Sequence, residues 1–196
     1  MSKKPLLRIL ESEAQAFFAR QETKLIDIIL FGSLRTGKEK PEDIDLLLLF
    51  KDRPDHALTQ EFRRLLERKI AGRVEVIPKT YHQILAREFL AREGLLTNGY
   101  SLIYRVALAE GLGFTSRVLF VYRLTSKTKS ERMRFYYSLY GRGNEQGIVH
   151  KLGAKKYTDT VIICPLETSA PMKEFLNYWK IEFSEMPILL PARYHL

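Results

Sequence analysis

Apolar residues recur along the chain with two periods, one typical of helices and one typical of strands. In the first half, helical spacing alternates with short apolar runs in the order helix, strand, strand, helix, strand, helix. The predicted helices cover 5–20, 56–72 and 81–93, and the predicted strands cover 25–31, 43–50 and 73–78. This order is typical of a small mixed sheet backed by helices, so we expect an α/β (α+β) fold for this half.

The pattern is interrupted near residue 96, where Gly94, Asn98 and Gly99 fall within a few positions of one another. We therefore predict a first domain over 1–96 and a second, α+β domain over 97–196. Helices are predicted at 101–113, 128–141 and 172–183, and strands at 117–124, 160–166 and 186–190. The glycine-rich segment 141–147 follows a helix, so we expect it to end that helix and continue as a flexible loop.

Composition adds a basic bias to this picture. The chain has 196 residues with a net charge of +9, and residues 101–196 carry the larger share of the excess. Such a charge favours acidic partners such as nucleotides or nucleic acid, although it also serves solubility. The single cysteine, Cys164, can form no internal disulfide, and no apolar window is long enough for a membrane span or a signal peptide. We expect a cytoplasmic protein with no membrane partner.

Two aspartates stand at the start of an otherwise apolar strand, "DIDLLLLF". Side chains alternate along a strand, so Asp43 and Asp45 share one face. Glu75 lies in the middle of the next predicted strand and would join them if the two strands pair. Hard oxygen ligands without a nearby His or Cys indicate Mg²⁺ (or Mn²⁺) rather than zinc. The alternative is structural, with Asp43 ending a turn and Glu75 facing solvent.

A second group precedes these acids. Gly32 and Ser33 end the first strand, where a glycine lets a phosphate approach bare backbone N–H groups and a serine adds a hydroxyl. Three cations follow in the loop and are candidates for contact with a polyphosphate, namely Arg35, Lys38 and Lys40. Phosphate-binding groups beside metal ligands predict a nucleotidyl transfer site.

The stretch "FGSLRTGKEKPEDIDLLLLF" resembles the signature of the DNA polymerase β-type nucleotidyltransferase superfamily, and residues 20–95 are most similar to its minimal members. The resemblance implies a nucleotidyltransferase fold in which Asp43, Asp45 and Glu75 hold metals. It also implies that Gly32 and Ser33 bind phosphates of an NTP, with ATP favoured. The implied reaction is attack of an acceptor hydroxyl on the α-phosphate with loss of pyrophosphate, and Glu75 would help to deprotonate that hydroxyl.

Residues 97–196 resemble no family, but their cations cluster. The candidates for contact with RNA or DNA, or with another phosphate-rich acceptor, are Arg123, Lys127, Lys129, Arg132, Arg134, Arg142, Lys155 and Lys156. A solvated helix face explains the same cluster equally simply. Two other functions stay open: an inactive nucleotidyltransferase-like protein that binds nucleic acid, and an antitoxin-like enzyme that modifies a protein partner.

Overall fold

The computed structural model describes residues 3–36 and 43–194 and divides the chain into two compact units, Met1–Leu112 and Gly113–Leu196. The division falls later than the predicted boundary after residue 96. Segment 97–112 belongs to the first unit because Tyr100 and Ser101 extend its sheet. Within the described residues, no helix has both the length and the apolarity that a membrane crossing requires.

The first unit is a mixed sheet with helices, which confirms the predicted fold class. Its elements are α1 (Lys3–Gln21), β1 (Leu25–Phe31), a short 3-10 helix (Ser33–Thr36), β2 (Asp43–Phe50), α2 (His56–Glu67), β3 (Arg73–Thr80), α3 (Tyr81–Leu85), α4 (Arg92–Asn98), β4 (Tyr100–Ser101), β5 (Val106–Ala107) and α5 (Leu108–Gly111). The strand order is β3-β2-β1-β4-β5. Only β2 and β3 pair in parallel among these strands, because α2 carries the chain back between them.

Both faces of this sheet are covered, which explains the continuous apolar run of β2. On one face, Leu46 and Leu48 pack in a core with Leu10 and Phe17 of α1 and Phe62 of α2. On the other face, a smaller cluster joins Ile29, Leu47 and Leu49 to Phe89 and Leu95. The alternation of β2 therefore places Asp43 and Asp45 on the face of the smaller cluster.

Two predicted helices of this unit are wrong. The helix expected over 81–93 ends at Leu85, and Ala86 is extended with φ −65° and ψ 143° before α4 begins. The helix expected over 101–113 is instead the β4–β5 pair followed by α5. Here β-pairing with β1 and hydrogen bonds to the buried Asp27 outweigh local helical propensity.

The second unit is a four-stranded antiparallel sheet with helices. Its elements are β6 (Phe114–Arg123), α6 (Lys129–Tyr140), β7 (Gly141–Arg142), β8 (Glu145–Gln146), α7 (Ile148–Lys151), β9 (Lys155–Thr158), β10 (Val161–Pro165), a 3-10 helix (Leu166–Thr168), α8 (Ser169–Tyr178) and β11 (Glu182–Pro191). The strand order is β11-β6-β10-β9, with every pair antiparallel.

One face of this second sheet packs on helices. Phe120 and Tyr122 of β6 lie in a core with Phe135 of α6 and Leu176 of α8. The segment 141–147, expected to be a flexible loop, is a hairpin of β7 and β8. Gly141 adopts φ +97°, and a Cβ there would overlap backbone atoms of the hairpin, so glycine is required at this turn.

Candidate active site

Strand β2 presents its two aspartates on one face of the first sheet. Ile44 and Leu46 are buried on the opposite face, whereas Asp43 is exposed and Asp45 is half-buried. The predicted alternation therefore holds. Asp45 lies where the apolar run begins, so its carboxylate stands at the border between solvent and the smaller core cluster.

Strand β3 adds the third acid in register. Asp45 is the direct partner of Glu75 in the parallel pairing of β2 and β3, and Asp43 is the partner of Arg73. Neighbouring strands lie about 4.8 Å apart, and paired residues of parallel strands project to the same side. The three acids therefore share one face of the sheet, as the sequence predicts if the strands pair.

The electrostatics of this acidic group centre on Asp45. Burial raises the pKa of Asp45, and the negative charges of Glu75 and Asp43 raise it further, while Arg73 lowers it. Arg73 Nη2 stands 3.9 Å from Glu75 Oε2, and both side chains are exposed. A cation placed among these carboxylates would relieve the repulsion that Asp45 experiences.

The acids share a face without forming a closed ligand set. Among the residues that the structure describes, no group of three His, Cys, Asp or Glu side chains is close enough to hold a metal ion as it stands. The arrangement therefore provides oxygen donors that a metal could draw together. The metal-binding roles of Asp43, Asp45 and Glu75 stay predictions.

Gly32 packs directly against the carboxylate of Asp45. Its φ is +83°, and a Cβ at this position would overlap Asp45 Oδ2. The chain then turns into the short 3-10 helix that begins at Ser33, and the N–H of Arg35 donates to the carbonyl of Gly32 at 3.3 Å. The predicted phosphate-binding turn thus lies beside the predicted metal ligand.

The cations expected along the triphosphate lie partly beyond the described structure. The Arg35 guanidinium sits 4.8 Å from the centre of the Tyr100 ring, and the Tyr100 hydroxyl donates to Glu11 Oε1 at 3.0 Å. Lys38 and Lys40 lie outside the described residues. Arg35 is therefore placed against strand β4, next to the turn at Gly32.

Sequence reasoning missed a cavity on the same sheet face as the acids. Its volume is about 750 Å³, and its lining is mainly apolar, including Leu49 of β2, Leu95 of α4 and the exposed Tyr104. Asp27 also lines it, buried, with Oδ1 accepting from Ser101 Oγ at 2.8 Å. A signal was present, because Asp27 interrupts the apolar run "LIDIILF" as Asp45 interrupts "DIDLLLLF".

Some of the cations predicted to contact nucleic acid are exposed on the second unit, and others contact neighbouring side chains. Those on α6, Lys129, Arg132 and Arg134, are exposed, and Arg132 Nε donates to the carbonyl of Lys127 at 2.9 Å. Arg123 is exposed on β6. The structure thus supplies a cluster of exposed cations at and just before α6.

Two further cations of that group are engaged with other side chains. The Arg142 guanidinium lies 4.7 Å from the centre of the Tyr137 ring. Lys156 Nζ is 2.6 Å from Asp159 Oδ1, so its charge is compensated, whereas its neighbour Lys155 on β9 is exposed. Lys156 is therefore the weakest candidate for a phosphate contact.

The mixed sheet carries paired acids beside a glycine turn, which is the arrangement that the sequence resemblance implies. Residues 13–95 match the family model described as the nucleotidyltransferase domain. These residues are therefore similar to a nucleotidyltransferase domain, in agreement with the sequence resemblance, and they make up less than half of the chain.

Solved structures of toxin–antitoxin proteins are also similar to part of the chain. One, a toxin–antitoxin with AMP-PNP, is 22% identical, with 47% of this chain and 71% of that chain covered at a TM-score of 0.38. Another contains a tri-AMPylated Shewanella oneidensis HEPN toxin in complex with MNT antitoxin, with 21% identity, coverages of 49% and 71%, and a TM-score of 0.36. The toxin–antitoxin MntA-HepT is 20% identical, with coverages of 48% and 70% and a TM-score of 0.35. A search of curated proteins found no match.

Proposed function

We propose that the protein transfers a nucleoside monophosphate from an NTP, with ATP the first to test, to an acceptor hydroxyl and releases pyrophosphate. The observation that carries this proposal is the direct pairing of Asp45 with Glu75 on adjacent parallel strands, with Asp43 on the same face. Bare carboxylates in this arrangement repel each other, and oxygen donors without His or Cys suit Mg²⁺ or Mn²⁺.

Each residue of the site has a distinct task in this reaction. Asp43 and Asp45 would hold the metal ions, which when bound supply electrostatic stabilisation of the attacking and leaving oxygens. Glu75 would accept the proton of the acceptor hydroxyl. The turn at Gly32 and Ser33 would bind the β,γ-phosphates through backbone N–H groups, with Arg35, Lys38 and Lys40 along the triphosphate.

Arg73 would compete with a metal ion for the carboxylate of Glu75. Its pair with Glu75 is long, at 3.9 Å, and both side chains are more than half exposed. Exposed ion pairs of this kind contribute little, about 0–1 kcal/mol. A divalent cation can therefore displace Arg73 from Glu75, so the present ion pair is compatible with a metal-binding role for this acid.

The test is transfer of label from an α-labelled NTP to candidate acceptors with Mg²⁺ or Mn²⁺. A double variant, Asp43→Asn with Asp45→Asn, should lose several kcal/mol of transition-state stabilisation, about a hundredfold or more in rate. Asp52→Asn is the matched control, because Asp52 is an exposed acid just beyond β2. Equal transfer by the wild type and the double variant would overturn the enzymatic proposal and favour a protein that only binds nucleic acid.

The first acceptor to test is RNA or DNA. The exposed cations on α6, Lys129, Arg132 and Arg134, supply the positive surface that a phosphate backbone requires. Binding should weaken steeply as the salt concentration rises, and neutralising these three residues should flatten that dependence. A salt response that is the same in the variant and in the wild type would exclude this surface.

A protein acceptor is the second candidate, favoured by the apolar cavity beside the acids. Leu49, in the cavity wall, is four residues from Asp45 on the same strand face, about 13 Å away. An apolar segment of a polypeptide could dock there while a hydroxyl side chain reaches the carboxylates. Co-purification from the native cells, with mass spectrometry for an added nucleoside monophosphate, tests this acceptor. Modified protein supports it, and transfer to nucleic acid alone rejects it.

A further inference from the structure

We infer that the second unit binds a phosphate group in a pocket on its sheet, lined by Arg117 and Lys155. The pocket has a volume of about 260 Å³ and is built by strands β6, β9, β10 and β11 with the turns that follow and precede them. Its lining residues are Thr115, Arg117, Gly153, Lys155, Ile163, Leu190, Ala192 and Tyr194. We refer to this set as the sheet pocket.

The strand register brings the sheet pocket together. On β6, Val118, Phe120 and Tyr122 face the helices, so Arg117 belongs to the opposite face. Arg117 is paired across the strands with Ile188 of β11 and with Pro165 of β10. Lys155 of β9 pairs with Ile163, the pocket residue on β10. Cations from two strands therefore converge on one cavity.

The described residues that line the sheet pocket give it a positive charge. None of its lining residues is acidic, and within residues 113–194 neither Arg117 nor Lys155 has a carboxylate within ion-pair distance. The neighbouring Lys156, by contrast, is bonded to Asp159 at 2.6 Å. The charge of Glu167 raises the pKa of the Cys164 thiol and the charge of Arg117 lowers it, so both residues lie near that thiol. Glu167 does not line the pocket.

Arg117 is held in place for recognition of an anion. It is half-buried, and its Nη1 donates to the carbonyl of Ser116 at 3.0 Å, which orients the guanidinium. The apolar walls formed by Ile163 and Leu190 reduce screening by water, so a bound anion would interact more strongly than on an open surface. A guanidinium and an ammonium together are the usual donors to phosphate oxygens.

The volume of the sheet pocket limits the size of the ligand that it can hold. Pockets for drug-sized molecules span about 300–1,000 Å³, so this cavity suits a smaller group. Two hydroxyls, from Thr115 and Tyr194, also line it and can add hydrogen bonds to the phosphate oxygens. The chemistry fits a phosphate monoester or a diphosphate, either as a free anion or at the end of a nucleic-acid chain.

The experiment is calorimetric titration of the full chain with inorganic pyrophosphate. Chelator is added so that no divalent metal supports binding at Asp43 and Asp45. We expect saturable binding under these conditions. Arg117→Gln and Lys155→Gln should each weaken it about tenfold, the effect of losing one charge-assisted contact. Failure of nucleotidyl transfer would leave these results unaffected.

Lys151→Gln is the matched control, since it removes an equal charge from the same unit, at an exposed position on α7 outside the sheet pocket. Its affinity should stay within about twofold of the wild type. Equal weakening by Arg117→Gln and Lys151→Gln would overturn the proposal, because only general charge would then matter. Thermal melting of each variant checks folding, and Lys155→Gln, at an exposed position, provides the test if Arg117→Gln is unstable.

A second titration identifies the source of the phosphate. Two oligonucleotides of one sequence are compared, one with a 5′-phosphate and one with a 5′-hydroxyl. Preference for the phosphorylated strand, competed by pyrophosphate, supports a nucleic-acid end as ligand, whereas pyrophosphate binding without that preference supports a free anion. Equal binding of both strands with no binding of pyrophosphate would overturn the proposal.

Discussion

Asp45 and Glu75 are direct partners across the only parallel strand pair among the described residues. A parallel register keeps paired side chains on one face, so the two carboxylates meet although thirty positions separate them in the chain. Arg73 lies two residues earlier on β3 and faces the same acids. Arg73 would therefore compete with a metal cation for these carboxylates.

Arg73→Gln should strengthen activation by the metal. Arg73 lowers the pKa of Asp45 and contacts Glu75, so its removal makes the potential at the acids more negative. We expect the Mg²⁺ concentration for half-maximal transfer to fall about two- to fivefold, the range of an exposed ion pair. Metal titrations of the transfer rate measure this shift.

Arg63→Gln serves as its control. Arg63 forms an exposed ion pair with Glu67 on α2, at 2.8 Å, and is no part of the acidic group. The metal requirement of this variant should match the wild type. If Arg73→Gln raises the metal requirement instead, Glu75 does not act with Asp43 and Asp45.

Gly32→Ala should impair both folding and activity. The φ of +83° costs an alanine about 1–2 kcal/mol, and its Cβ would displace the Asp45 carboxylate. We expect a lower free energy of unfolding and a transfer rate reduced about tenfold or more, since small displacements of a catalytic group are costly. Urea denaturation and initial rates measure the two effects.

Gly94→Ala provides the comparison for this substitution. Gly94 lies within α4, and a Cβ there meets no atom within 4 Å. The variant should gain about 0.5–1 kcal/mol, because alanine loses less backbone entropy in a helix. Similar losses of unfolding free energy and transfer rate in both variants would show that the backbone conformation of Gly32 and its contact with Asp45 are not the cause.

The buried Asp27 should make stability depend on pH. Burial raises the pKa of Asp27 to about 6, although hydrogen bonds from Ser101, Ile28 and Ile103 lower it. The unfolded chain has the ordinary value of 3.8, so between these values the folded state binds more protons. The protonated Asp27 carboxyl therefore stabilises the folded state by about 3 kcal/mol. This contribution is complete below about pH 4 and is lost as the pH rises through about 6.

Asp27→Asn should remove this dependence. Asparagine keeps an oxygen that can accept from the Ile28 N–H and the Ser101 hydroxyl, which now bond to Oδ1 at 2.7 and 2.8 Å. The difference in unfolding free energy between the variant and the wild type should therefore grow in favour of the variant from pH 4 to pH 7. Urea denaturation at each pH measures it, and a constant difference would show that Asp27 is not desolvated.

Thr128→Ala should destabilise the second unit by about 1 kcal/mol. Thr128 Oγ1 accepts from the Glu131 N–H, and Glu131 Oε2 accepts from the Thr128 N–H at 2.8 Å, forming the capping box of α6. The variant loses the first of these bonds. Ser126→Ala, at an exposed turn position nearby, should change the unfolding free energy little, and equal losses would contradict the capping role.

Local pattern was sufficient for several elements of this protein. The strands Leu25–Phe31 and Asp43–Phe50 and the capping box at Thr128 are where the sequence predicts them. Strand alternation also placed Asp43 and Asp45 on one face. These features depend on residues close together in the chain, whose periodicity and capping chemistry are local properties.

Strand pairing between distant segments determines the other features of the fold and the site. The segment 101–113 has a helical pattern, yet Ser101 pairs with Ile29 and bonds to Asp27, and these distant contacts outweigh weak local propensity. The meeting of Asp45 with Glu75 and of Arg117 with Lys155 likewise requires strand order and register. Both arise from the burial of whole sheet faces in the folded chain, which no local stretch of sequence encodes.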